Sequence, residues 1–201
     1  MNEQKTLEYI DHPGLPPDIW TAACVLDVQV NSAGYGKEQR KMEKTAGRKL
    51  ISGIAAGKLG IETLVIDAAD HQKPVAVCDG MPVHISISHS GEVLCGVVSE
   101  DRVVGIDLEK MSREINPDLK GRIIHPDESR IAENLSPLQL WTLKEASLKW
   151  SGSGLRTAMN RVCLLKKEGP RFWMKLPDGR HLELCSFNWR GYWMSVAYDI
   201  C

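Results

Sequence analysis

The stretch that decides the fold is residues 103–109, VVGIDLE, a short apolar run that carries two carboxylates. Side chains alternate between the two faces of a strand, so a strand here places Gly105, Asp107 and Glu109 on one face. A glycine beside two acids indicates that a phosphate or a metal approaches the backbone closely. The pattern therefore predicts a strand with an anion-binding or metal-binding face.

A second stretch further along the chain, residues 141–149 with the sequence WTLKEASLK, predicts a helix. Helical spacing places Trp141, Glu145 and Lys149 on one largely apolar stripe. A carboxylate in an apolar face is costly unless it is paired or bound to a cation. If Glu145 meets the two acids of the strand, the three carboxylates repel one another, and a divalent ion relieves that repulsion. Oxygen ligands beside lysines that hold phosphates favour Mg²⁺.

The composition argues against a protein that binds nucleic acid or membranes through its overall charge, so any anion-binding site must be a local feature. The chain has 201 residues, 43% of them hydrophobic, which suits one or two compact domains. Its 25 basic and 26 acidic residues give no bulk charge for binding nucleic acid or membranes. The six cysteines lack disulfide or zinc spacing and are interpreted as reduced thiols. No apolar leader or membrane span is recognisable, so we expect a cytoplasmic protein.

The first half is predicted to contain one helix and several strands. Residues 19–30 favour a buried strand, although a helix is also compatible with this length. Four apolar residues spaced by four indicate one face of a helix: Met42, Ala46, Leu50 and Ile54. Lys44 and Lys49 are interpreted as a solvated face, whereas Arg48 is compatible with either a solvated position or a cationic site.

Strict alternation in residues 83–91, VHISISHSG, predicts a strand with Val83, Ile85 and Ile87 inward and the serines outward. Hydroxyls and an imidazole at the strand end, from Ser88, His89 and Ser90, are good donors to phosphate oxygens. A serine hydrolase is the alternative, but no G-x-S-x-G sequence surrounds these serines. Lys73 precedes a proline and is therefore predicted to lie on a loop.

The second half is predicted to contain the key helix and further antiparallel strands. Residues 93–98 and 103–108, joined by a turn, are expected to pair as a hairpin. Ser136 as N-cap and Pro137 at the first position predict the start of the helix, which should end near residues 152–154. Apolar runs within residues 162–198 predict the strands. Glu128 is expected to face solvent, although another helical phase would turn it towards the site.

Three motifs now stand in order: ISHS at 87–90, GIDLE at 105–109, and W, KEA and K within 141–149. They resemble the motifs of phosphopantetheinyl transferases, in particular the longer, surfactin-synthetase-type branch close to its W/KEA subgroup. The resemblance implies an α+β fold of two similar α/β halves in a pseudo-twofold arrangement, each with a helix on a mainly antiparallel sheet. The halves would be residues 1–101 and 102–201 of a monomer, with the active site in the cleft between them.

The resemblance also implies an activity. Members of the family transfer the 4′-phosphopantetheine arm of coenzyme A to a serine of an apo acyl, aryl or peptidyl carrier protein and release 3′,5′-ADP, with magnesium. The carrier would belong to fatty-acid, polyketide or nonribosomal-peptide synthesis. One departure is that Ile85 and Ser86 stand where many members have an aromatic residue and asparagine, so we carry no role onto Ser86.

The resemblance assigns roles to individual residues. Asp107, Glu109 and Glu145 look like the magnesium ligands, and Glu145 and Lys149 like the catalytic pair. The implied coenzyme A contacts are Ser88, His89, Lys144 and Lys149, with Lys73 and Arg48 on the 3′-phosphate side. The proton of the incoming serine would pass to Glu145, directly or through a metal-bound water, or alternatively to Glu128.

Two other functions are weighed against this one. A magnesium-dependent phosphotransferase or nucleotide hydrolase could use the same acids, but no G-x-x-x-x-G-K-S/T loop occurs. A non-catalytic module that binds coenzyme A or a carrier protein comes from a different class. The three acids and two lysines favour the enzyme, because a module without catalysis does not need them all. An unrelated α/β protein, in which these residues serve only the fold, is the remaining alternative.

Overall fold

Two antiparallel sheets form the framework of the protein in a computed structural model that describes residues 7–26, 36–67 and 73–200. The first sheet has the order β1-β2-β6-β5-β4-β3 and the second the order β7-β11-β10-β9-β8. The strands of the first sheet are β1 Glu8–Tyr9, β2 Trp20–Val25, β3 Val65–Asp67, β4 Val75–Cys78, β5 Met81–Ser90 and β6 Val93–Ser99. Those of the second are β7 Val104–Lys110, β8 Cys163–Glu168, β9 Arg171–Lys175, β10 His181–Trp189 and β11 Tyr192–Tyr198.

Helices pack on both sheets, which confirms the predicted α+β class. The α-helices are α1 Lys37–Ile54, α2 Pro117–Ile123, α3 Ser129–Ala132 and α4 Pro137–Ser151. A π-helical turn, Ala55–Leu59, extends α1, and short 3₁₀ turns lie at Pro126–Glu128, Gly154–Arg156 and Met159–Arg161. Helix α1 contacts β6 and β2 of the first sheet, and α4 contacts β7, β11 and β10 of the second. Residues 27–30 of the strand predicted over 19–30 lie outside the described ranges.

The buried side of α1 differs from the predicted stripe at its first member. Leu50 and Ile54 are buried as expected, but Met42 is 51% exposed. Gly47 is buried instead, and a Cβ there would lie 3.1 Å from Ile87 Cδ1. This glycine lets the helix pack against the Ile87 side chain of β5, so the contact face is rotated away from Met42.

Helix α4 begins and ends where the sequence predicts. Ser136 Oγ accepts a hydrogen bond from the Gln139 backbone N–H at 3.1 Å, and Gly152 ends the helix in the left-handed conformation with φ of 74°. Near its end the helix meets β7 at Gly105, where a Cβ would lie 2.2 Å from Ala146 O. The close approach that explains this glycine is therefore a helix backbone, and the prediction that a phosphate or metal approaches there is wrong.

The predicted hairpin of residues 93–108 is also wrong. Strand β6 pairs with β2 and β5, whereas β7 pairs with β11, so the two strands belong to different sheets. The connection between them is fixed on both sides: the Arg102 guanidinium binds Asp18, and the Val103 N–H donates to Asp199 Oδ2 at 3.0 Å. These contacts make the chain cross from one sheet to the other instead of turning back.

The two sheets face each other across a shared core that includes Cys95, Val97, Ile106, Leu108 and Val196. Serines of β5 that were predicted to point outward are buried because β7 covers this face. A division into subdomains 1–101 and 102–201 stays a prediction. No helix in the described part of the chain is long and apolar enough to cross a membrane. The five cysteines of that part are free thiols, and Cys201 lies beyond it.

Candidate active site

A cleft of about 650 Å³ opens where β5, β7 and α4 meet. Its lining consists of Ile87, Ser88, His89, Ser90, Gly91, Asp107, Glu109, Arg113, Glu145 and Lys149. The cleft thus gathers the three acids predicted to act together, with one of the two predicted lysines. Their placement follows from local structure: alternation along β7 puts Asp107 and Glu109 on one side, and helical spacing puts Glu145 and Lys149 on one side of α4.

Lys149 ties the helix to both strands. Its ammonium donates to Asp107 Oδ1 at 2.7 Å and to Ser88 Oγ at 2.8 Å, and lies 3.7 Å from Glu145 Oε1. Ser88 in turn donates to Asp107 Oδ1 at 2.8 Å. Burial opposes the charged form of Lys149, but Asp107 and then Glu145 outweigh it and raise its pKa. The lysine is therefore held as a cation between two carboxylates.

Three carboxylates lie close together in this partly buried cleft. Burial, and then the charge of Asp107, raise the pKa of Glu145 from 4.5 to about 7. Burial is also the main cause that raises the pKa of Glu109, with Asp107 adding to it and Ser90 opposing it. Two carboxyls whose ionisation is disfavoured by their surroundings are typical of a site that binds a cation or moves protons.

The chemistry of the donor set fits a hard divalent cation such as Mg²⁺. Asp107 Oδ2 is buried and has no hydrogen-bond partner, so one ligand oxygen is already desolvated and available. In the geometry described for residues 7–26, 36–67 and 73–200, however, no group of three ligating side chains is close enough to hold a metal. Lys149 and Arg113 lie among the carboxylates, so the acids would have to turn towards a cation.

Ser88 and His89 both reach the cleft but in different ways. Ser88 is buried within the lysine–carboxylate contacts. His89 stands at the rim with a side chain 39% exposed, and its Nε2 lies 3.6 Å from Glu43 Oε2. Both positions are compatible with contacts to phosphate oxygens, and the roles stay predictions.

Lys144 does not reach the cleft, which corrects its predicted role as a coenzyme A contact. Its side chain is fully buried, and the ammonium binds Glu128 Oε1 and the Ile123 carbonyl and donates to Val162 O at 2.9 Å. Glu128 is equally buried and accepts from the Leu164 N–H at 2.7 Å. The prediction that Glu128 faces solvent is therefore wrong, and its place in the core does not suit a proton acceptor for the cleft.

Lys73 links the two halves instead of projecting into the cleft. Its ammonium donates to Val104 O and to Trp150 O, each at 3.0 Å, and burial lowers its pKa to about 8. These two carbonyls replace the predicted phosphate as its partners in this structure. Arg48 lies exposed on α1, so its contact with a 3′-phosphate stays a prediction.

Two residues of the cleft were given no individual role by sequence reasoning. Ser90 donates to Glu109 Oε2 at 2.9 Å, and its position was available from the period-two pattern that already contains Ser88. Arg113 pairs with Glu109 from the segment after β7. No periodicity connects a strand to the irregular segment that follows it, so the sequence held no signal for this arginine.

The fold and the cleft together define a class of protein: two α/β halves with carboxylates, a lysine and hydroxyls at their junction, suited to phosphate chemistry. A family model described as the 4′-phosphopantetheinyl transferase superfamily matches residues 103–197. That range contains both acids of β7 and the whole of α4. This part of the chain is therefore similar to that superfamily.

Three similar proteins carry the same family name. The chain is 29% identical over 142 residues to a 4′-phosphopantetheinyl transferase of Bacillus subtilis, covering 66% of this chain and 62% of that protein. It is 30% identical over 127 residues to the transferase psf-1 of Bacillus pumilus, with 60% and 53% covered. It is 29% identical over 115 residues to the transferase gsp of Aneurinibacillus migulanus, with 53% and 46% covered. The chain thus matches less than two thirds of each relative's length, and its assignment to the surfactin-synthetase-type branch stays a prediction.

Proposed function

We propose that this protein transfers the 4′-phosphopantetheine arm of coenzyme A to a serine of an apo carrier protein and releases 3′,5′-ADP. The observation that carries the proposal is the meeting of Asp107, Glu109, Glu145 and Lys149 in one cleft, within a chain whose residues 103–197 match the model of this superfamily. Each of these side chains has a charge suited to a pyrophosphate or to the cation that accompanies it.

The carboxylates of Asp107, Glu109 and Glu145 would hold Mg²⁺. When bound, the ion would neutralise charge on the pyrophosphate of coenzyme A and on the phosphate that leaves. The partnerless Oδ2 of Asp107 supports its role as a ligand. The branch subgroup W/KEA is part of this proposal, since Trp141, Lys144, Glu145 and Ala146 match its motif.

Side chains of the cleft can accept the proton of the carrier serine and stabilise the charge that develops on the leaving phosphate. The carrier serine oxygen attacks the phosphorus next to the pantetheine arm, and the bond from that phosphorus to the bridging oxygen breaks. Glu145 lines the cleft and would accept the serine proton. Lys149, whose pKa is raised, stays charged and stabilises the negative charge that develops on the leaving phosphate.

A single copy of the chain would suffice for this activity. Strand β5 of the first sheet supplies Ser88, while β7 and α4 supply the acids and Lys149, so one chain supplies both walls of the cleft. We therefore propose a monomer, which size-exclusion chromatography with light scattering can test. The free thiols of the described cysteines support a cytoplasmic location.

The test is a transfer assay with a panel of apo acyl, aryl and peptidyl carrier proteins from fatty-acid, polyketide and nonribosomal-peptide synthesis. Each carrier is incubated with the protein, coenzyme A and Mg²⁺, and mass spectrometry follows the added arm. We expect at least one carrier to be modified, and Asp107→Asn to lower the rate by roughly 100-fold or more, in line with loss of a charge that stabilises the transition state.

Three outcomes would contradict parts of this proposal. Carriers that all stay unmodified would refute the activity. Full activity of Asp107→Asn would refute the assignment of this residue to the metal. Tight binding of coenzyme A without any transfer would indicate a non-catalytic binding module instead.

A further inference from the structure

Arg113 is a charged residue of the cleft to which the proposed reaction gives no role. It lies in the segment after β7, and its guanidinium Nη1 contacts Glu109 Oε1. Its side chain is 51% exposed, whereas that of Glu109 is 12% exposed. The Trp141 ring centroid lies 5.9 Å from its Cζ, so the arginine lies across the mouth of the cleft between β7 and α4.

The charges of the cleft are divided between two cations. Lys149 forms ion pairs with Asp107 and Glu145, while Arg113 pairs with Glu109. A divalent ion that uses Glu109 as a ligand must compete with this guanidinium for the same carboxylate. Because two cations on one carboxylate repel each other, binding of the ion pushes Arg113 away from Glu109.

A phosphate group can replace Glu109 as the partner of the displaced Arg113. Half of its side chain is already in solvent, and a guanidinium fork matches the oxygens of a phosphate group better than an ammonium does. Its other cleft neighbours Ser88, His89 and Lys149 are donors suited to the same kind of ligand. A ligand phosphate is therefore the natural new partner.

We propose that Arg113 exchanges Glu109 for a phosphate group of coenzyme A when a divalent cation takes Glu109. The inference rests on the proposed function, because it assumes the same cation and the same ligand in this cleft. Arg113 then acts in two opposite ways: it weakens binding of the metal alone, and it strengthens binding of coenzyme A with metal.

The experiment compares Arg113→Gln with the wild-type protein by calorimetry in two titrations. In the first, Mn²⁺ alone is titrated into protein without nucleotide, and we expect the variant to bind about 3- to 5-fold more tightly, the range of a half-exposed ion pair. In the second, coenzyme A is titrated in saturating Mg²⁺, and we expect about 10-fold weaker binding by the variant. Arg130→Gln is the matched control, since Arg130 is exposed on α3 and does not line the cleft.

The two titrations separate failure of this inference from failure of the proposed function. Unchanged Mn²⁺ affinity, unchanged coenzyme A affinity, or equal changes in Arg130→Gln would each overturn the exchange while the wild-type protein still transfers the arm. A wild-type protein that binds neither Mn²⁺ nor coenzyme A and modifies no carrier would overturn both.

Discussion

Replacement of Glu145 by glutamine is expected to stabilise the metal-free protein while it abolishes the proposed transfer. Burial and the charge of Asp107 raise the pKa of Glu145 from 4.5 to about 7, so the folded state binds this proton more tightly than the unfolded state. The stability contributed by the group is therefore fully present below 4.5 and is lost as the pH rises through about 7. Glutamine has nearly the same shape and no charge to lose.

The size of the effect follows from the difference between the two pKa values. From 4.5 to about 7 is 2.5 units, which at about 1.36 kcal/mol per unit is roughly 3 kcal/mol once the group is ionised in both states. The Glu145 side chain is 20% exposed, and screening by water reduces this figure. We expect about 2 kcal/mol at about pH 8. Lys149 loses a partner at 3.7 Å but keeps Asp107 at 2.7 Å.

Thermal unfolding with a chelator present, at about pH 5 and about pH 8, measures this effect. For a chain of this size, roughly 2–4 °C of Tm corresponds to each kcal/mol, so the variant should melt about 4–8 °C above wild type at about pH 8. Near pH 5 the gain should be less than about half as large, because most of the proton is still bound in the folded state. Adding Mg²⁺ should raise the Tm of wild type and should raise that of the variant less.

The matched control is Glu133→Gln, which removes an exposed carboxylate outside the cleft. It should change the Tm by little at either pH. A Glu145→Gln protein that is no more stable than wild type at about pH 8, or that gains equally at both pH values, would refute the reasoning. Such a result would mean that Lys149 compensates Glu145 fully and that the cleft holds no excess of negative charge.

Two further substitutions test the packing that places the site. Lys144→Met should lower the free energy of unfolding, measured by urea denaturation, by about 3–5 kcal/mol, because it leaves Glu128 buried without its cation. Addition of Glu128→Gln should restore part of the loss. A single variant as stable as wild type would contradict the buried ion pair. Gly105→Ala should cost about 1–3 kcal/mol or more and lower transfer, because its Cβ would lie 2.2 Å from Ala146 O and push α4 away from β7. Gly121→Ala is its control, since a Cβ there meets nothing within 4 Å, and equal losses in both would contradict the contact.

Local signals in the sequence were sufficient for elements that local chemistry determines. The N-cap Ser136 and the terminal Gly152 bound α4 as predicted, because capping is decided within one helical turn. The runs within residues 162–198 became β8 to β11 for a similar reason: alternation and tight turns specify neighbouring antiparallel strands. Asp107 and Glu109 of β7 and Glu145 and Lys149 of α4 lie in one cleft, because both periodicities predicted correctly which residues share a face.

Pairing between distant segments was not visible in the same way. Residues 93–98 and 103–108 look like a hairpin whether or not they pair, and the pairing of β7 with β11 depends on residues 192–198. Lys144 illustrates a different failure, because the family motif was carried over without its helical phase. Five positions before Lys149, a helical residue is rotated by about 140°, so the two lysines cannot face the same cleft. That correction was available from the sequence.

The serines of β5 explain how the fold and the site depend on the same residues. Strand β7 lies at the edge of the second sheet, and edge N–H groups that are buried need partners. Ser86 Oγ accepts from the Ile106 N–H and Ser90 Oγ from the Lys110 N–H, each at 3.1 Å. Ser88, between them on the same face, binds Asp107 instead. Hydroxyls at alternate positions thus join the two sheets and hold a carboxylate in the cleft, which is why an acceptor at position 86 suffices even without an amide.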